Sequence, residues 1–349
     1  MHNKGKYNIG IIGLGFVGGA VHYWFDNFFK KPVEIFSYDK YKKIGSMEEI
    51  NKADIIFICV PTPYYEGSGH DDSAVNKSLK SINDSKIVVI KSTILPGSTE
   101  KFQKLFPRLK ILFNPEFLVA KTAVQDFLKP NRQIIGYTLE SKNFAQTVLD
   151  ILPSAPFTRI IPATEAEMIK YFGNVFLATK VIFANQIYDL CEKIGIDYEI
   201  VKEIVAADSR IGPSHLSVLQ DSYRGYGGSC FPKDTKSFID FSRKIGLPLE
   251  LLEKVNEIND QLVNPPKKIL VSVIITTFNR PKYLKESVQS VLSQDFNELE
   301  LIVVDDDSPG TETKEVVDSF DDDRIKYIKN SKNLGGAISL NVGLNNSKG

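Results

Sequence analysis

Ten consecutive residues, Gly225-Tyr226-Gly227-Gly228-Ser229-Cys230-Phe231-Pro232-Lys233-Asp234, have the make-up of a reactive thiol site. Glycines ahead of a cysteine let the backbone approach a ligand closely. Lys233 comes three residues later, and a helical pattern opens near Thr235. A cation and a helix N-terminus beside a sulfur favour the thiolate, the form that attacks carbon. The other two cysteines sit differently. Cys59 falls in an apolar strand and Cys191 in an apolar helical stretch, where cysteine behaves as a small buried hydrophobe. Three cysteines cannot all pair, and their spacing fits no zinc pattern, so free thiols in a reducing cytoplasm are expected, with no metal site.

A second feature lies near the N-terminus. Gly13-Leu14-Gly15-Phe16-Val17-Gly18 comes after the apolar run Asn8–Ile12 and precedes a helical pattern. The first glycine permits a tight turn, the second lets a pyrophosphate reach the backbone, and the third lets helix and strand pack closely. The N-terminus of the next helix then offers N–H groups to phosphate. Asp39 ends the next apolar run, at about the ~20-residue spacing of a ribose-binding acid. A carboxylate there bonds the ribose hydroxyls and repels a 2′-phosphate, so the expected cofactor is NAD rather than NADP.

The elements that must position these residues can be read from hydrophobic pattern. Short β-branched runs at Asn8–Ile12, Val33–Tyr38, Ile55–Val60, Ile87–Ile90 and Ile111–Phe113 alternate with helix-length stretches. This predicts an α/β fold with a Rossmann-type, doubly wound parallel sheet over residues 1–157, closed by Pro153 and Pro156. Residues 158–263 read as an all-α domain that carries the cysteine loop. Its proline-free stretch from Thr164 to Ile194 predicts one long helix ended by Gly195, suited to a dimer core. Further helices are expected at Tyr198–Ala207, Thr235–Ile245 and Pro248–Leu262. Residues 264–268, Asn-Pro-Pro-Lys-Lys, read as a linker. A new α/β pattern over 269–349 places strands at Leu270–Thr276 and Leu299–Val304. With 349 residues, 42% hydrophobic and 25% charged, the chain is long enough for two or three globular domains. Basic and acidic residues are equal at 43 each, so no basic stripe points to nucleic acid. The glycine-rich run Tyr7–Ala20 is too short to span a bilayer, and no membrane insertion is expected.

Over roughly residues 6–262 the chain resembles the UDP-glucose/GDP-mannose dehydrogenase family. The resemblance runs through Gly13–Gly18, Pro61-Thr62-Pro63, Lys91-Ser92-Thr93, Asn114-Pro115-Glu116-Phe117-Leu118, Glu165–Lys170 with Asn174, Arg210-Ile211-Gly212, and Gly225–Asp234. The Cys-Phe-Pro-Lys-Asp form is most similar to the UDP-glucose 6-dehydrogenase branch. The resemblance implies two successive NAD-dependent oxidations of a nucleotide-linked sugar alcohol, UDP-glucose first among the candidates. It makes Cys230 the nucleophile and Lys170 the stabiliser of the oxyanion, assisted by Asn174. Glu116 is implied as acid or base through a water held by Thr93 and Asp234. Pro61, Thr62, Thr93 and Lys233 are implied in cofactor binding beside Gly13, Gly15, Phe16, Val17, Gly18 and Asp39. Glu116, Phe117, Leu118, Tyr226, Gly227 and the rest of the 221–228 loop would line the sugar. Arg210 would reach it from a neighbouring subunit of a homodimer. Two departures stand out. A second family glutamate is Ala120 here, and the residues after 263 do not continue into the family's third domain.

From about residue 268 the chain resembles the start of a family 2 glycosyltransferase instead. The matching residues are Val271–Arg280, Glu300–Ser308, and Asn333-Leu334-Gly335-Gly336-Ala337 with Asn341 and Gly343. Thr276 and Asp306 are implied in contact with a nucleotide base, on a partial GT-A-like α/β segment that ends ahead of that family's Asp-x-Asp strand. Asp321-Asp322-Asp323 precedes a strand and reads as a solvated loop. Three functions therefore stay open: an active dehydrogenase, a binding module for NAD or a nucleotide-sugar with little turnover, and part of a bifunctional dehydrogenase–glycosyltransferase.

Overall fold

In the computed structural model, residues 7–30, 33–220, 223–265 and 269–349 are described. The chain divides into two compact units, Met1–Val263 and Asn264–Gly349. Of the expected linker, Asn264 and Pro265 are described and Pro266, Lys267 and Lys268 lie outside the described residues.

The first unit opens with β1 (Ile9–Ile12), α1 (Phe16–Asn27), β2 (Ile35–Tyr38), α2 (Met47–Ile50) and β3 (Ile55–Ile58). A small hairpin, β4 (Tyr64–Tyr65) and β5 (Gly69–His70), precedes α3 (Ser73–Lys80). Then come β6 (Ile87–Ile90), α4 (Ser98–Leu105), β7 (Lys110–Phe113), α5 (Ala123–Leu128), β8 (Arg132–Tyr137), α6 (Ala145–Ile151) and β9 (Phe157–Pro162). Every residue of β1, β3 and β6 is buried, which is why these strands read as unbroken apolar runs. Successive side chains point to opposite faces. Ile56 and Ile58 thus join one core with Val88 and Ile90, while Ile55 and Phe57 join the other with Ile9 and Ile11.

The sheet order is β2-β1-β3-β6-β7-β8-β9. The first five strands are parallel; β8 runs antiparallel to β7 and β9 parallel to β8. The sheet is therefore mixed, not wholly parallel, and continues through β9, beyond the expected break at 157. Both unforeseen strands have weak patterns: Arg132 and Gln133 open β8, and no residue of β9 is fully buried. Since β2 and β3 lie on opposite sides of β1, a crevice opens beyond the carboxyl ends of β1 and β3, the usual ligand position in such sheets.

The helical part is built from α7 (Ala163–Ile194), α8 (Tyr198–Ala206), a short hairpin of β10 (Leu219–Gln220) and β11 (Tyr223–Arg224), α9 (Phe231–Lys244) and α10 (Glu250–Val263). At 32 residues, α7 spans about 48 Å at 1.5 Å per residue. It ends at a left-handed Gly195, with Ile196 N–H donating to the Cys191 carbonyl at 3.0 Å. Helix α9 starts four residues earlier than the pattern near Thr235 indicates, so Cys230 is its N-cap. No helix among the described residues is long and apolar enough to cross a membrane.

The second unit contains β12 (Val271–Thr277), α11 (Pro281–Leu292), β13 (Leu299–Asp305), α12 (Glu312–Asp318), β14 (Ile325–Lys329) and α13 (Gly336–Asn345). Its three strands are parallel in the order β12-β13-β14, and β13 is buried throughout.

Candidate active site

The glycine loop after β1 packs against the end of β3. A Cβ on Gly13 would lie 2.7 Å from the Cys59 carbonyl oxygen, and one on Gly18 would lie 1.8 Å from the Gly13 carbonyl oxygen. Around Gly15, by contrast, nothing lies within 4 Å of the position a Cβ would take. The loop thus offers bare backbone on one side, at the start of α1, a cradle that fits a pyrophosphate. Asp39 stands beside it, with Oδ2 accepting from Leu14 N–H at 2.8 Å and Oδ1 from Tyr41 and Lys42 N–H at 2.9 Å each. Burial works to raise this carboxyl, but the three backbone donors and the Lys42 ammonium outweigh it and hold it below the usual range. The residues therefore fit the diphosphate and ribose of a dinucleotide.

A cavity of ≈ 540 Å³ continues from this cradle. Gly13, Gly15, Phe16, Val17 and Asp39 line it, with Pro61 and Thr62 beyond β3. Thr93, Glu116, Leu118 and Ala120 also line it, as do Cys230 and Lys233. Thr62 Oγ1 donates to the Thr93 carbonyl at 2.7 Å and so joins the two loops beyond β3 and β6. Cys230 is exposed to solvent, with its sulfur 3.7 Å from Ser229 Oγ.

Lys170, Asn174 and Asp234 line neither this cavity nor the second one described below, but form two polar networks with the lining residues Glu116 and Lys233. Lys170 Nζ donates to Glu116 Oε1 at 2.8 Å, and the two side chains are only 5% and 10% exposed. The other carboxylate oxygen of Glu116 accepts from Leu118 N–H at 2.8 Å. Burial would raise the Glu116 carboxyl, but the Lys170 ammonium, these hydrogen bonds and the nearby Lys91 hold it below its ordinary value. In the second network Asn174 Nδ2 donates to Asp234 Oδ2 at 2.5 Å, and Lys233 pairs with Asp234 Oδ1. Lys170 and Asn174, four residues apart, lie on one face of α7 and reach β7's loop and α9 respectively.

A second cavity of ≈ 420 Å³ shares Lys91, Glu116 and Leu118 with the first. Phe117 lines it, under the Arg132 guanidinium at 3.8 Å from the ring centroid, together with His215.

Several residues implied by resemblance are not brought to these cavities. The Tyr226 side chain is 2% exposed and packs with Ala178, Val181, Ile182 and Val255. Its backbone is held by Asn259, which accepts from Tyr226 N–H at 2.7 Å and donates to its carbonyl at 3.0 Å. Gly227 abuts the Tyr223 ring and lines neither cavity. Asp221 and Ser222, within the expected sugar loop, lie outside the described residues. Arg210 is exposed and pairs with Asp208 at 2.6 Å. In the second unit, Thr276 is exposed at the end of β12. The Asp306 carboxylate is already bonded to Leu334 N–H and Gly335 N–H, at 2.7 Å each, and to Asn330 Nδ2 at 2.8 Å.

Two residues gain weight from the structure. Lys91 is buried, donates to Asn114 Oδ1 at 2.6 Å and lines both cavities. Burial brings its ammonium down to about 8. Glu167 is fully buried one turn before Lys170. The only sequence signal for either is membership of a short motif.

Residues 33–151 match the NAD binding domain of the UDP-glucose/GDP-mannose dehydrogenase family, and residues 164–261 match its central domain. Over these stretches the chain belongs to that family. Its N-terminal unit therefore carries the NAD binding domain of a nucleotide-sugar dehydrogenase. Residues 272–349 match glycosyl transferase family 2. The chain is 32% identical over 249 residues to the UDP-glucose 6-dehydrogenase AglM of Haloferax volcanii, covering 65% of this chain and 57% of that protein. It is 35% identical over 226 residues to the UDP-glucose 6-dehydrogenase TuaD of Bacillus subtilis, covering 61% and 47%. The chain thus spans about half the length of the curated relatives it matches. In fold it is similar to a UDP-glucose dehydrogenase structure from Pyrobaculum islandicum, with a TM-score of 0.64 at 24% identity, covering 95% of this chain and 88% of that one.

Proposed function

We propose that the chain oxidises the primary alcohol of a nucleotide-linked sugar to the uronic acid with NAD, UDP-glucose being the first candidate. The observation that carries this reading is one cavity lined together by Gly13, Gly15, Phe16 and Val17 of the glycine cradle, by Glu116 and by Cys230. NAD, when bound, would supply the hydride acceptor for each of the two oxidations, one NAD per step, and in the first the sugar hydroxyl proton passes through water to Glu116. Cys230 adds as thiolate to the aldehyde carbon, and Lys170 places its ammonium where the oxyanion develops. After the second oxidation the carbon is a thioester. Glu116 takes a proton from the water that attacks it, and Cys230 departs as thiolate. Asp234 and Asn174 hold the start of α9, and with it Cys230. Asp39 favours NAD over NADP. The ≈ 420 Å³ cavity, which shares Glu116, is the space for the sugar.

The long helix carries a second part of the reading. Phe172, Phe176 and Phe183 are 67%, 59% and 61% exposed, and Leu190 and Ile194 continue that apolar side of α7. Such a patch is expected to be covered, here by α7 of a second copy in a homodimer, which would let Arg210 act across the interface. The family 2 match supports a second reading, in which this dehydrogenase is one part of a fusion with a sugar transferase. A cytoplasmic location suits the free thiols. The test is NADH release with UDP-glucose, UDP-N-acetylmannosamine and GDP-mannose. Two NADH per sugar from one of them is expected, and none from any would overturn the reading.

A further inference from the structure

Glu167 has no part in the chemistry just described, yet it is 0% exposed and sits on the same face of α7 as Lys170 and Asn174. Its carboxylate reaches across to the loop between β6 and α4. Oε2 accepts from Gly97 N–H at 2.6 Å, and Oε1 accepts from Thr99 N–H at 2.7 Å and Thr99 Oγ1 at 2.5 Å. These donors belong to the first turn of α4, so the carboxylate meets the unpaired N–H groups and positive end of that helix. The clamped loop begins at Lys91-Ser92-Thr93, which lines the main cavity, and Thr62 fixes its other end through the Thr93 carbonyl. We propose that Glu167 is a positioning residue for the reaction, a clamp that sets Thr93 and Lys91 at a fixed place relative to Lys170. The proposal rests on the dehydrogenase reading for its consequence in turnover, but the clamp itself is a property of the unliganded chain.

On protonation the two backbone N–H contacts can persist, with the Thr99 hydroxyl reversing to accept from the acid's O–H. Burial pushes this carboxyl up to about 7, opposed by the Thr99 and Gly97 bonds and reinforced by Glu100 on α4. Tyr171, the other titratable neighbour on α7, has its phenol raised well above the usual range and stays neutral throughout. Because burial raises this carboxyl, the clamped state favours the protonated acid, and against an open state with a solvated Glu167 the clamp weakens as pH rises towards about 7 and is level above it.

The experiment compares the wild-type chain with Glu167→Gln. Hydrogen exchange of the Gly97 and Thr99 amides is followed in the absence of ligands between pH 6 and 8.5, after correction for intrinsic rates. Wild-type protection should fall about tenfold from pH 6 to 8.5, most of it below about 7.5, and the variant's should be flat. With UDP-glucose and NAD, the variant should lose at least tenfold in kcat with KM for the sugar nucleotide within about twofold. Equal protection in the two proteins would overturn the clamp, whatever the turnover. A variant that keeps kcat while its Tm falls would make Glu167 a helix cap and nothing more. Absence of NADH release from the wild type would overturn the dehydrogenase reading, leaving the clamp to be judged by exchange.

Discussion

Removing Lys170 tests the buried pair at the centre of the site. Its ammonium lies 2.8 Å from Glu116, with 5% and 10% of the side chains exposed, so solvent screens the pair little. Lys170→Met leaves a buried carboxylate with only Leu118 N–H and the more distant Lys91 in its favour. Breaking such a pair from one side costs roughly 3–5 kcal/mol of stability, whereas replacing both partners is close to neutral. Urea denaturation of Lys170→Met should show the full loss, and Lys170→Met with Glu116→Gln should recover most of it. Turnover should behave differently. Both proteins should lose on the order of 10²–10³ in kcat, the usual cost of a missing oxyanion donor, and the second change should rescue nothing. The pH dependence has a definite sign. In the wild type the Glu116 carboxyl is held below its unfolded value, so its contribution is present above that value and lost as pH falls through the lower, folded one. Without Lys170, burial wins and the folded value moves above the unfolded one. The variant's deficit should then shrink as pH is lowered from 8 to 5. A double variant as unstable as the single one, or a deficit that grows on acidification, would refute the account of this pair.

The same geometry sets other outcomes. Cys230→Ala should abolish formation of the acid product and of any covalent adduct seen by mass spectrometry, while Cys191→Ala, buried in a separate cluster, should leave turnover nearly intact. Gly18→Ala forces a methyl to within 1.8 Å of the Gly13 carbonyl oxygen and should reduce NAD affinity at least tenfold by calorimetry, if the protein folds at all. Phe172→Glu with Phe176→Glu should convert a dimer to a monomer in light scattering at micromolar concentration; an unchanged mass would remove α7 as the interface.

How much was legible in the sequence depends on whether an interaction is local. The Gly13–Gly18 cradle and the start of α9 at Cys230 are contiguous motifs, and Gly13, Gly15, Phe16, Val17, Cys230 and Lys233 from them line one cavity. The Glu116–Lys170 pair joins residues 54 apart, and no spacing rule links them; only the family resemblance did. Glu167 is harder still, because its partners lie 68 and 70 residues away and its charge is read on a helix whose polar positions normally face water. Tyr226 misled in the opposite direction. The resemblance placed it in a sugar-lining loop, but Asn259 pins its backbone from α10 and its ring packs in the core. Strand β9 was hidden because none of its residues is fully buried, and β8, although buried from Gln133 to Gly136, because its sequence leaves only Ile134-Ile135 as an apolar run.

Helix α7 explains why these separate contacts form one site. Residues 167, 170 and 174 fall at intervals of three and four, so they share one face of a continuous helix. Each reaches a different segment: Glu167 the start of α4, Lys170 the loop after β7, and Asn174 the first turn of α9. Those segments carry the groups that line the cavity, Thr93 ahead of α4, Glu116 after β7, and Cys230 with Lys233 at α9. The three loops come from distant parts of the chain, and the first two are also tied by Lys91 Nζ, which donates to Asn114 Oδ1 at 2.6 Å. Their relative positions are set by the 1.5 Å rise per residue of one helix, a far stiffer ruler than loop-to-loop contact. On the proposed reading the proline-free length of α7 matters to the chemistry as much as to any dimer, because a kink between 167 and 174 would separate Glu116, Lys170 and Cys230.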